Sequence, residues 1–97
     1  MSGTQLRVYQ LPLSSDEQQR WVEWWAGARA VREQFGFRIV CALLNAETGV
    51  FTWVVEHDGD FAAAEKELLA SPERAEVFAR DRPKIEYLDT PMVSRIA

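Results

Sequence analysis

The chain has 97 residues, 47% of them hydrophobic and 27% charged, with a formal net charge of −4. That size and balance fit one soluble globular domain rather than a disordered segment. The acidic balance and scattered Lys and Arg leave nucleic acid and membrane surfaces as poor partners.

The opening "TQLRVYQLPL" alternates, with Leu6, Val8 and Gln10 on one side and Arg7, Tyr9 and Leu11 on the other. It reads as a strand that ends before Pro12. Ser14 and Glu17 then have the spacing of a capping box, with Asp16 and Glu17 at the positive end of the helix they begin. The helix is expected to run to Gln34 and stop at Gly36. Residues 37 to 46 and 50 to 57 read as an antiparallel hairpin, turning where Gly49 tolerates positive φ. Asp60 is the expected N-cap of "FAAAEKELLA", and Ser71 with Pro72 starts a second, short helix that ends before Pro83. The tail "KIEYLDTPMVSRIA" reads as a last strand at a sheet edge, or bulged, where Pro91 interrupts it. The order β-α-β-β-α-β, with the second helix split in two, predicts a ferredoxin-like plan: α+β, one four-stranded antiparallel sheet, helices on one face.

Three of the four tryptophans, Trp21, Trp24 and Trp25, lie within the stretch "WVEWW". At 100° per residue they share an arc of about 120° with Ala28, Val31 and Phe35. Aromatic stripes at this spacing usually serve as core. Indole N–H groups want partners, however, and bulky rings beside a small alanine pack with gaps. The expectation is that at least one ring edges a pocket against Trp53 or Tyr9.

The strands pose a second problem. "IVCALL" and "VFTWVV" are apolar on both sides, whereas a sheet covered on one face should alternate. The second face is therefore expected to be buried against another copy of the chain, giving a homodimeric barrel.

The opening strand, the run from Phe51 to Asp89 and above all "WVV", "DGDF" and "ASPER" resemble the NIPSNAP family, over about residues 5 to 96. The resemblance implies a dimeric α+β barrel as a single domain over 1–97, with little implied about chemistry. Barrels of similar appearance include cofactor-free monooxygenases, haem-degrading enzymes and small isomerases, which is analogy of fold alone.

Few residues offer reactive chemistry. His57 ends the third strand among Glu56, Asp58 and Asp60, where a carboxylate neighbour would suit a general base; a strand-end histidine bonded to a loop is the plainer role. By strand parity it shares a side with Phe51, Trp53 and Val55. Tyr9 could give its phenolic proton to a pocket or make a structural hydrogen bond. Arg74, Arg80 and Arg82 flank the short helix and the loop after it, and Arg82 is the candidate fork for an acidic ligand; salt bridges to Glu73, Glu76, Asp81 or Glu86 are the alternative. Cys41 reads as a buried, inert thiol. One His and one Cys make a metal site unexpected, and no cofactor is implied. No apolar run reaches the ~18 residues of a bilayer span and no secretory signal opens the chain, so a cytoplasmic protein is expected. Three functions follow: a homodimeric barrel binding a small apolar or aromatic molecule between helix and sheet, a cofactor-free monooxygenase or isomerase on an aromatic or polyketide-like substrate, or a structural interaction module.

Overall fold

A computed structural model describes residues 1–97. In chain order the elements are β1 (Gly3–Gln10), α1 (Ser15–Gln34), β2 (Arg38–Asn45), β3 (Val50–His57), α2 (Phe61–Leu69), α3 (Pro72–Phe78), β4 (Glu86–Asp89) and β5 (Met92–Val93). The strands form one antiparallel open sheet in the order β2-β3-β1-β4, with β5 also paired to β1. The α+β class, the hairpin and the split second helix match the sequence pattern, and the strand order is consistent with the ferredoxin-like plan.

The expected count of four strands is corrected to five. Pro91 cannot donate to the ladder, so the tail divides into β4 and β5, both pairing with β1 along its free edge. The Pro91 carbonyl still accepts from Leu6 N at 3.0 Å, which holds the break against the sheet. A register shift opposite Val8 and Tyr9 places Leu88 in a bulge.

The helix starts rest on side-chain caps. Ser14 Oγ accepts from Glu17 N (3.4 Å), Asp60 Oδ1 from Ala63 N (3.0 Å) and Ser71 Oγ from Arg74 N (3.1 Å). Ser71 also donates to the Leu68 carbonyl at 2.7 Å, and so joins the end of α2 to the start of α3. Ser71→Ala is expected to cost about 1–2 kcal/mol, a lost cap plus the lost hydrogen bond that Ser71 donates to Leu68 O. Thermal or denaturant unfolding checks this, and an unchanged midpoint would contradict the capping role.

α1 ends in a Schellman motif. Phe37 N bonds to Arg32 O and Gly36 N to Glu33 O, both at 3.1 Å, with Gly36 at φ +87°. A Cβ at Gly36 would be strained by that φ and would stand 2.9 Å from His57 Nε2.

All three helices pack on one face of the sheet. β1 and β3 send Gln5, Arg7 and Tyr9 and their partners Val55, Trp53 and Phe51 toward the helices. Thr4, Leu6, Val8 and Gln10, opposite Glu56, Val54, Thr52 and Val50, face the other way. Every strand residue of the buried hydrophobic core lies on the helix side. The other face has no covering layer, and the molecule is a slab of 39 × 34 × 17 Å. On that face Leu43 is 64% exposed, and Cys41, paired with Val54, is exposed as well. Within one chain the expected burial of Cys41 is therefore wrong, because its side of the sheet lacks helices. One end of this face carries Glu56, which is buried beneath Arg38 and Arg95 (2.9 Å each) and Thr4 (2.9 Å). The Thr4 hydroxyl first, then Arg38, hold its carboxyl below the usual carboxylate range. No helix is long and apolar enough to cross a membrane.

Candidate functional site

The sequence patterns of α1 and the strands converge on one place. Trp21 and Trp25 are turned toward the sheet and Trp24 toward α3, and all three line a cavity of about 70 Å³ between α1, the α2–α3 pair and the strands. Trp53 and Tyr9 form its sheet-side wall. Since a water needs roughly 10–15 Å³ of such space, the cavity has room for a few waters, and a ring enters only as lining side chains shift.

The walls are a connected aromatic cluster. Trp21 is 0% exposed and meets Phe51 edge-on at 4.5 Å and Tyr9 at 5.7 Å. Trp25 contacts Phe51 at 5.4 Å and Trp53 at 5.3 Å, also edge-on. Trp24 packs on Phe78 of α3 at 5.0 Å and donates its indole N–H to the Val77 carbonyl at 2.9 Å. Trp24 alone among these indoles is satisfied. The Nε1 atoms of Trp21, Trp25 and Trp53 are buried and have no acceptor.

Arginines complete the lining. Arg82 lies over the Trp24 ring at 4.5 Å, and Arg74 lies over Phe78 at 3.9 Å. Arg32, 7% exposed, lies over Phe37 at 5.1 Å and Trp53 at 5.5 Å. Its position is set by the cap of α1, which fixes both its carbonyl and Phe37. Arg7 gives Nε to the Tyr9 hydroxyl at 2.6 Å and Nη1 to Gln5 Oε1 at 2.9 Å. Held as an acceptor by Arg7, the Tyr9 oxygen has its own proton left to give. Glu65 is the single acidic residue in the lining, and its carboxylate stands 4.0 Å from Arg32 Nη2, outside hydrogen-bond range. Burial pushes the Arg32 guanidinium down to about 10; Arg7 adds to the shift and Glu65 opposes it.

Of the candidate residues, Tyr9, Trp21, Trp24, Trp25, Trp53 and Arg82 thus come together. His57 stands apart. It lies at the far end of the helix-side face, with Nε2 3.0 Å from the Phe35 carbonyl and Nδ1 accepting from Gly59 N at 2.9 Å. That pattern fits the neutral ring with its proton on Nε2 and ties β3 to the end of α1. Arg80 pairs with Glu76 at 3.2 Å, whereas Arg74 and Arg82 form no ion pair. No group of three or more His, Cys, Asp and Glu side chains gathers as a metal site.

Sequence reasoning passed over Arg32 and Arg7. The signal for Arg32 was available: 100° per residue sets it inside the tryptophan arc, on the buried face. Arg7 shares the strand parity of Tyr9. Compared with protein-family models, curated proteins and solved structures, the chain matches none of them.

Proposed function

We propose that this chain is a NIPSNAP-like homodimeric α+β barrel in which each subunit holds a small apolar or aromatic molecule between α1 and the sheet. The cavity carries the binding half of this reading. Its walls are aromatic, and four arginines against a single acidic residue stand among them. Concave, mostly apolar surfaces with a few convergent polar groups are where small molecules bind.

The dimer half is supported by the open face, where Leu6, Val8, Val54 and Leu43 have no covering layer. A second copy, two-fold related, would cover the same apolar strip on both chains. Binding is favoured over the oxygenase or isomerase reading because His57 lies outside the cavity with both ring nitrogens engaged.

Titrating the intrinsic tryptophan fluorescence with benzyl alcohol and with benzoate tests the reading. A saturable change with one site per chain is expected. A linear, unsaturable change with both compounds would contradict it.

A further inference from the structure

The lining of the cavity is positively charged in a protein whose net charge is −4. Arg7, Arg32, Arg74 and Arg82 face it, against Glu65 alone. Three of the four, Arg7, Arg74 and Arg82, make no ion pair, and Arg32 is only loosely matched by Glu65. Five buried side-chain nitrogens in the chain lack a hydrogen-bond partner: Nε1 of Trp21, Trp25 and Trp53, and Nη1 of Arg32 and Arg82. All five belong to residues that line this one cavity. Every orphan is a donor, and none is an acceptor.

A guest with only an apolar body, or a neutral alcohol or ketone, would leave the arginine charge uncompensated. A planar carboxylate offers two oxygens with about four acceptor sites, matches guanidinium geometry and neutralises charge. The aromatic walls accommodate a ring attached to it. We infer that the cavity binds a small aromatic carboxylate, its ring among Trp21, Trp25 and Trp53 and its carboxylate taken by Arg32, which lies over Trp53. This rests on the ligand-binding reading above and specifies the guest's charge.

The inference also accounts for a costly feature of the free protein. A buried guanidinium without a matched anion destabilises the fold, and binding sites keep such groups at the expense of stability. An anionic guest would relieve this, so ligand binding and stability are expected to respond oppositely to removal of Arg32.

Calorimetric titration with benzoate and with benzyl alcohol, matched in size and differing in charge, tests the inference. The wild-type chain is expected to bind benzoate at least about tenfold more tightly. Arg32→Met should abolish most of that preference and should raise the midpoint of thermal unfolding of the ligand-free protein. Glu65→Gln, which removes the only acid and leaves the arginines in place, should tighten benzoate binding several-fold without affecting benzyl alcohol. Equal affinity for the two probes in the wild type would overturn the carboxylate and leave the binding site standing. Binding of neither would overturn both. A benzoate preference that survives Arg32→Met would overturn the assigned residue.

Discussion

Trp21→Ala is expected to lower the unfolding free energy by about 3–5 kcal/mol, the range for emptying a large buried aromatic site. Trp21 is wholly buried and sits at the centre of the aromatic cluster, touching Tyr9, Trp24 and Phe51. These neighbours belong to both layers, α1 and the sheet, so no single rotamer change can close the gap. Against a total stability of ~5–10 kcal/mol for a domain this small, the variant should be close to unfolded at physiological temperature. Trp25→Ala should cost clearly less, because that ring is 8% exposed against 0% for Trp21. Denaturant unfolding of the two variants checks the order, and equal losses would contradict that difference in burial.

Val54→Asp is the second large effect. Val54 sits on the open face of the central strand β3, between Leu6 of β1 and Cys41 of β2. In a lone chain this position is half-exposed, and an aspartate there could reach water. Buried against a second sheet, the same carboxylate would be unpaired and would weaken association by about 3–5 kcal/mol, a factor of roughly a hundred to a few thousand. Sedimentation of the wild type at micromolar concentration should give twice the 11.1 kDa chain mass, and the variant should sediment as a folded single chain. A wild type that sediments as a monomer would contradict the dimer, as would a variant that stays dimeric. Cys41 offers a second reading of the same face: exposed in one chain, it should resist thiol reagents in the dimer.

Much of the fold was legible because local chemistry and long-range pattern agree. The three cap residues, Ser14, Asp60 and Ser71, each accept from the backbone N–H three positions on. Gly36 and Gly49 take the positive φ that their turns require. Alternation in β1 assigned Tyr9 and Arg7 to one side, and the helical arc assigned the three tryptophans to another layer. Their meeting at one cavity followed from the plan of the fold.

The charge of the cavity was harder to see. Arginine in a helix is ordinarily a surface residue, and a pattern that sorts residues into apolar and polar gives no weight to one inside an apolar arc. Arg32 is held there by stacking on Phe37 and Trp53, contacts that exist only once β2, β3 and the cap of α1 are assembled. The division of the tail was also hidden. The pattern located the interruption at Pro91, and only the pairing of both halves with β1 shows that the chain resumes the same edge beyond it. His57 is the only histidine, yet its ring is taken up by the Phe35 carbonyl and the Gly59 amide, partners invisible to spacing.

The indole N–H signals in a proton–nitrogen correlation spectrum test the central claim, that the aromatic cavity is a ligand site, most directly. Four such signals are available, one per tryptophan. On titration with benzoate, those of Trp21, Trp25 and Trp53, which lack acceptors, should move together and saturate at a common dissociation constant, while that of Trp24, already bonded to Val77, should move least. Four signals unmoved at saturating benzoate, or a shift led by Trp24, would contradict it.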